Sequence, residues 1–433
     1  MRFATLQEWL GWQEQLHPRS IDLGLERVCA VADRLRARTF RCPVITVAGT
    51  NGKGSCVALI ESVLGAAHYR VATFTSPHLV RYNERIRLAG REVTDGELIE
   101  AFERIEQARG DSSLTFFEFN ALAALLLFQQ EPFDAVVLEV GLGGRLDAVN
   151  IIDADVAVLT SVGFDHCDWL GATLEEIGRE KAGIFRAGRP AVLGNRSMPR
   201  SVFESARAVG AKLRIPGVDY RYAIDGPLWH WEGRGRVFAG LPLPNLPGRQ
   251  QIENAATALA ALAETNERLP LSSEQAVAGL RSAHLRGRFE VVQGNPEWIL
   301  DVAHNPAASE VLAGNLRDRP RSGRTLAIVG ILADKDAAGV VRPLLPEVDI
   351  WIATSLPGVR GATAAELKQR CGEAARHWHE AASVAEACEF AMRLAAPADR
   401  IVVLGSFHTV GPAIEWLARP SASSAILARP QFG

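Results

Sequence analysis

Apolar residues along this chain alternate between short β-branched runs and longer stretches at helical spacing, from near the first residue almost to the last. Val44–Ala48, Arg70–Thr75, Ala135–Val140, Val156–Thr160 and Pro190–Leu193 read as strands. The near-continuous AVVLEV run of 135–140 is what a parallel strand covered on both faces requires. Between them the spacing predicts helices: residues 5–38 with a break at LHPRSIDLG, a helix from Ser55 (Val57, Ile60, Val63, Leu64), and the apolar Phe119–Gln130. Thr94-Asp95-Gly96-Glu97 and Thr173-Leu174-Glu175-Glu176 are capping boxes; the first opens a helix to about Arg109 and the second a helix carrying Glu180 and Lys181. Tyr220–Phe238 alternates like a hairpin, LPLPNLPG is a proline-rich connector, and Asn254–Leu262 is an alanine-dense helix.

Near Gly287 the strand–helix alternation starts again. Trp298–Val302, Thr325–Gly330, Asp349–Thr354 and Arg400–Gly405 read as strands, with helices near 306–317, 335–344, 363–375 and 383–395. The expected architecture is α/β: a domain over 1–286 with a mainly parallel sheet and a small antiparallel β portion, then a Rossmann-like α/β domain over 287–433 that ends in a loose tail, SASSAILARPQFG.

Composition narrows the class. The 433 residues are 48% hydrophobic and 22% charged with a formal net charge of −3, so nothing recommends nucleic acid or an anionic membrane as partner. The longest apolar run, Ala121–Phe128, is too short to span a bilayer, and the N-terminus lacks a signal's apolar core. Cys29, Cys42, Cys56, Cys167, Cys371 and Cys388 include no CxxC pair, which favours reduced thiols and a cytoplasmic protein.

Strand Val44–Ala48 runs into Gly49-Thr50-Asn51-Gly52-Lys53-Gly54-Ser55 and then a helix. Such a loop gathers backbone N–H groups and a helix N-terminus around one anion, with Lys53 as a mobile cation and Ser55 as a hydroxyl for magnesium. Its spacing departs from the usual G-x-x-x-x-G-K-[ST], with a glycine between lysine and serine. Other strands also end in polar groups: Ser76 after the second, Glu139 in the third beside Gly141, Gly143 and Gly144, and His166 after the fourth. A buried Glu139 must be paired, with Arg145 for instance, or bound to metal. Ser76, Glu139 and His166 together could hold a magnesium ion completed by phosphate oxygens and water. Locally, Ser20 or Asp22 reads as a helix cap, Phe116 and Phe117 as core, Lys181 as an exposed helix lysine, and Asn254 as a helix cap or a ligand contact.

GTNGKGS, TSPHLVRYNERI, LEVGLGGRLDAVN, DHCDWLG, REKAGIF, GRFE, DVAHNP and GSFHTV, in that order from about Ile21 to Val410, resemble the bacterial folylpolyglutamate synthase/dihydrofolate synthase family, relatives of the Mur ligases. The resemblance implies an ATP-dependent amide ligase working between an ATP-binding domain and a Rossmann-like domain. Its substrates would be dihydropteroate, reduced folates, L-glutamate and ATP, and it would be a monomer. It implies that Thr50, Asn51, Gly52, Lys53, Gly54, Ser55, Asn254, Arg288 and Asp301 contact ATP, and that Ser76, Glu139 and His166 ligate Mg²⁺, with two ions in the site. It also implies that Lys181 is carbamylated by CO₂, and that His304 serves catalysis. Ser20, Ile21, Asp22, Leu23, Thr115, Phe116, Phe117, Glu118, Leu146, Asp147 and Ala148 match the dihydropteroate pocket of bifunctional enzymes, which predicts both synthase activities. Ser406 and His408 are candidates, by position alone, for the incoming glutamate.

The alternatives are a folylpolyglutamate synthase without the first activity, a Mur-type ligase, a P-loop hydrolase or kinase, and a non-catalytic nucleotide-binding regulator. A Mur-type ligase is expected to carry a UDP-binding domain ahead of a loop that here follows only some 43 residues.

Overall fold

The β-branched runs find the burial they require in two sheets. A computed structural model describes all residues except 1, 20, 320, 359, 375–377 and 420–433. The expected C-terminal tail lies outside the described residues. The chain divides into two compact units. The first comprises residues up to His78, Tyr82–Asn245 and Gln251–His284; the second comprises Leu79–Arg81, Leu246–Gln250 and the chain from Leu285.

In the first unit, β1 (Val44–Ala48), β2 (Val71–Phe74), β3 (Ile86–Leu88), β4 (Arg91–Glu92), β5 (Ala135–Glu139), β6 (Val156–Leu159), β7 (Pro190–Leu193) and β8 (Lys212–Arg214) form one sheet in the order β4-β3-β2-β5-β1-β6-β7-β8. The six strands from β2 to β8 in that order are parallel, and β3 and β4 close one edge antiparallel. Every residue of β1 and β5 is buried, Glu139 included. Helices α1 (Leu6–Leu16), α2 (Glu26–Leu35), α3 (Lys53–Ala66), α4 (Asp95–Arg109), α5 (Phe116–Leu127), α6 (Cys167–Leu170), α7 (Leu174–Ala182), α8 (Arg200–Val209), α9 (Gln250–Glu264) and α10 (Ser273–Ser282) accompany it.

The expected hairpin is a three-stranded antiparallel sheet of β9 (Tyr220–Asp225), β10 (Leu228–Gly233) and β11 (Arg236–Pro242). Its buried face carries Trp229, Trp231 and Phe238, and the Trp231 indole donates to the Ala256 carbonyl of α9 at 3.0 Å.

The second unit holds β12 (Glu290–Val292), β13 (Glu297–Leu300), β14 (Thr325–Val329), β15 (Ile350–Thr354), β16 (Trp378–Ala381) and β17 (Arg400–Leu404), ordered β12-β13-β17-β14-β15-β16 and parallel except for β12. The last strand, β17, enters the sheet between β13 and β14. Helices α11 (Pro306–Asp318), α12 (Ala337–Val341), α13 (Ala364–Cys371), α14 (Val384–Leu394) and α15 (Phe407–Leu417) complete it. Among the described residues no helix is long and apolar enough to cross a membrane, and the six cysteines are free.

Candidate active site

Strand order alone gathers the candidate groups of the first unit. Adjacent parallel strands β2, β5, β1 and β6 all point their carboxyl ends to one sheet edge. Ser76, Glu139, the 49–55 loop and His166 therefore leave the sheet on the same side.

The loop is braced by the end of β6. The Thr50 N–H donates to the Ser161 carbonyl at 2.9 Å and the Asn51 N–H to the Ser161 hydroxyl at 3.0 Å, while the Thr160 hydroxyl donates to the Asn51 carbonyl at 2.7 Å. Gly52 is the N-cap of α3 at φ 87°, a left-handed conformation that favours glycine, and a Cβ there would lie 2.6 Å from the Asn254 amide oxygen. No side chain caps α3, so its N-terminal pole faces the loop. The Lys53 ammonium folds back to the carbonyls of Gly49 (3.1 Å) and Thr50 (3.3 Å). Asn254 is not the helix cap expected: α9 begins at Gln250, one turn earlier, just past Gly248 in the left-handed region. The Asn254 amide nitrogen donates to the Gln251 side chain in the first turn of α9 at 3.0 Å, which leaves its oxygen beside Gly52 of the loop.

Lys181 is not an exposed helix lysine. It is buried on α7, 5% exposed, and its ammonium donates to the Gly49 carbonyl at 3.1 Å. Burial first, then the Lys53 charge, push it down to about 7, with Asp165 and Asp147 opposing. Glu139, 4% exposed, accepts from the Ser76 N–H at 3.2 Å. Arg145 does not pair with it; its guanidinium is spent on Glu180 at 2.8–3.2 Å. His166 stands at φ 52°, capping the short α6 beside Asp165. No cluster of three or more His, Cys, Asp or Glu side chains poised for a metal occurs among the described residues. With Ser76 the trio offers a hydroxyl, a carboxylate and an imidazole, a donor set that fits a hard divalent cation whose remaining ligands are phosphate and water oxygens.

Two of the segments expected to form a pteroate pocket are joined by a residue that sequence reading passed over. Arg27, on α2, donates to both carboxylate oxygens of Glu118 (2.8 and 2.9 Å) and also pairs with Asp22. Asp22 therefore does not cap α2, whose N-cap Leu25 receives no side-chain bond; Ser20 lies outside the described residues. Ile21 and Leu23 flank Asp22, half-buried. Thr115–Glu118 is itself a capping box, so α5 starts at Phe116, three residues earlier than expected. The residue pattern T-x-x-E was the available signal.

Phe116 and Phe117 are only partly buried, and a Cβ at Gly141 would lie 2.5 Å from the Phe117 ring. That contact joins α5 to the glycine segment after β5, where Leu146 and Ala148 flank Asp147. The Asp147 carboxylate accepts from the Leu142 N–H (2.8 Å) and the Val149 N–H (3.1 Å); burial raises its carboxyl to about 6.

In the second unit, Arg288 lies over the Phe407 ring at 5.9 Å and His304 beside it at 6.4 Å. Asp301 accepts from the N–H groups of Phe289 and Ala303, and burial pushes its carboxyl up. The His304 Nδ1 meets the Val302 carbonyl at 2.8 Å, which fixes the ring. Ser406 is committed inward, its hydroxyl 2.8 Å from that of Thr409, whereas His408 is exposed, with partial desolvation lowering its pKa.

Comparison with known proteins gives the family. The Mur ligase middle domain family matches residues 47–212, and the Mur ligase glutamate ligase domain family residues 287–407. The dihydrofolate synthase/folylpolyglutamate synthase of Escherichia coli (strain K12) is 48% identical over 412 residues, covering 95% of each protein. The structure of E. coli FolC in complex with DHPP and ADP superposes with a TM-score of 0.90 at 47% identity, over 95% of this chain and 97% of that one. A bifunctional folylpolyglutamate synthase/dihydrofolate synthase solved with Mn, AMPPNP and L-glutamate gives 0.89 at 46%, over 96% and 98%. This chain belongs to the dihydrofolate synthase/folylpolyglutamate synthase family.

Proposed function

We propose that this chain is an ATP-dependent ligase that joins L-glutamate to dihydropteroate and adds further glutamates to reduced folates. The observation that carries this reading is the convergence of Lys53 and Lys181 on the Gly49 carbonyl, at the N-terminus of α3 and on the sheet edge shared with Ser76 and Glu139. One lysine is a cation for phosphate; the other is held near neutrality, which suits capture of CO₂. A hydrolase needs no such second lysine.

In the reaction, an oxygen of the substrate carboxylate attacks the γ-phosphorus of ATP, the bond to the β-bridging oxygen breaks, and ADP leaves. The glutamate amine then attacks the acyl carbon, inorganic phosphate departs with the bond electrons, and the amine's proton goes to solvent. Residues 50–55 hold the phosphates, with Lys53 neutralising charge on the β/γ side, and Asn254 contacts the nucleotide. Ser76, Glu139 and His166 would hold the divalent cation, which supplies charge neutralisation on the phosphates. Lys181, once carbamylated, presents a carboxylate that supports a second ion. Arg288 and Asp301 are assigned to the nucleotide and His304 to the reaction. Ile21–Leu23, Thr115–Glu118 and Leu146–Ala148 line the pteroate site, tied together by Arg27 and the Phe117–Gly141 contact.

The test is ADP release by purified protein with dihydropteroate or tetrahydrofolate, each with and without glutamate. Glutamate-dependent release with both substrates is expected. Release with tetrahydrofolate alone leaves only the folylpolyglutamate activity, and release without either substrate returns the protein to the ATP hydrolases.

A further inference from the structure

Arg85 closes the short 3₁₀ turn Tyr82–Arg85 ahead of β3 and is buried, 8% exposed. Its guanidinium lies over the rings of Tyr82 at 5.5 Å and Phe116 at 5.7 Å, and its Nε donates to the His78 Nδ1 at 2.9 Å. Among the described residues neither Nη donates to any acceptor, yet neither is sealed from solvent. The backbone fixes where this cation sits: the Arg85 carbonyl accepts from the Thr75 N–H at 2.8 Å, one residue before Ser76, whose own N–H donates to Glu139. Glu139 is near enough to act on Arg85 electrostatically without taking a hydrogen bond from it.

A buried guanidinium with two idle Nη groups is costly unless an anion completes it. Its planar fork matches a carboxylate bidentately, and the flanking rings hold the plane in place. The guanidinium neighbours Phe116, assigned above to the pteroate pocket, while the Arg85 backbone is bonded to Thr75, next to Ser76, and Glu139, assigned with Ser76 to the metal and phosphates, acts on it electrostatically. The substrate group that has to reach from the pteroate pocket to the phosphates is the carboxylate about to be phosphorylated. We propose that Arg85 is a substrate-binding residue for this reaction, its Nη groups gripping the reacting carboxylate of the pteroate or folate. This inference rests on the ligase reading given above.

Steady-state kinetics of the wild-type enzyme, Arg85→Gln and Arg85→Lys test it, alongside thermal unfolding of each. Arg85→Gln should raise the dihydropteroate KM at least tenfold while the ATP KM stays within about twofold, and Arg85→Lys should recover part of the loss. An unchanged dihydropteroate KM, with altered magnesium dependence or a lowered Tm, would make Arg85 a counter-ion for Glu139 and overturn the inference alone. A wild-type enzyme forming neither product would overturn the ligase reading and this inference with it. Should the variants fail to fold, wild-type binding of pteroate against its carboxamide decides: at least tenfold weaker binding of the amide is expected, and equal affinity overturns the proposal.

Discussion

Lys53 and Lys181 place their ammonium nitrogens on the same acceptor, the Gly49 carbonyl oxygen, each at 3.1 Å. Two cations sharing one oxygen repel, and Lys181 is the more buried of the pair, so it is the one that gives up its proton.

Carbamylation of Lys181 therefore should follow a titration near 7 rather than near 10.5. At pH 8 about 90% of such an amine is neutral, against roughly 0.3% of an ordinary lysine. A ¹³C carbamate resonance formed from labelled CO₂ is expected to reach half-intensity near pH 7 at fixed dissolved CO₂, and to vanish in Lys181→Ala, with ligation falling at least 100-fold and the fold retained. A signal that grows only above pH 9 would contradict the burial argument.

Because the folded pKa of Lys181 lies below its unfolded value, the unfolded chain binds more protons between about 7 and 10.5. Stability against urea in CO₂-free buffer should thus climb across that window, by at most about 5 kcal/mol from this group. Lys181→Met should flatten the climb, a difference read from denaturation midpoints at pH 7 and 9.

Asp147 has the opposite sign. Its folded pKa of about 6 exceeds the model-peptide value, so the stability it contributes is fully present below about pH 4 and is lost as pH rises through 6. Asp147→Asn keeps an acceptor for only one of the Leu142 and Val149 N–H groups, which bond different carboxylate oxygens, so it should lower stability at both pH values while narrowing the difference between pH 4.5 and 7 by up to about 2 kcal/mol.

Removing the Arg27 side chain leaves the Glu118 carboxylate, on a residue 4% exposed, with only the Thr115 N–H and hydroxyl as donors. Arg27→Met is expected to cost about 2–4 kcal/mol by chemical denaturation and to raise the dihydropteroate KM more than the ATP KM. Equal stability would mean that solvent replaces the guanidinium.

Glu139→Gln preserves the shape of the β5 end and removes its charge. Magnesium titration of ADP release should move to at least tenfold higher concentration, with glutamate KM little changed. An unaltered titration would remove Glu139 from the ion's ligands.

The fold was legible where burial dictates the residues. Wherever a parallel strand is covered on both faces, as in β1, β5, β14 and β17, the apolar run names itself. The strands that escaped notice, β3, β4, β8, β12 and β16, are short and lie at or next to the sheet edges, where polar residues such as Arg87, Arg91 and Lys212 are free to stand. The turn from β1 through the glycine loop into α3 was legible because an apolar β-branched run, a glycine cluster and a helix-spaced apolar stretch follow one another directly. Arg27 and Arg85 were not: an arginine's partner lies 91 residues away in one case, and in the other its ring neighbour Phe116 comes from a separate helix. Lys181 was misread locally for the same reason, since the backbone that buries it belongs to β1's loop.

The strand order also sets how this enzyme would fail. The strands carrying Gly49 and Glu139 lie in the interior of an eight-stranded sheet and are buried at every position, so their amides should be among the slowest to exchange. A ledge for ATP built on their ends would survive local opening and be lost only with the whole unit. The Ile21–Leu23 segment rests on half-buried residues between two helices and shares none of that protection. Under mild heat or denaturant, grip on the pteroate would fade first, leaving an enzyme that still holds nucleotide but has nothing to activate.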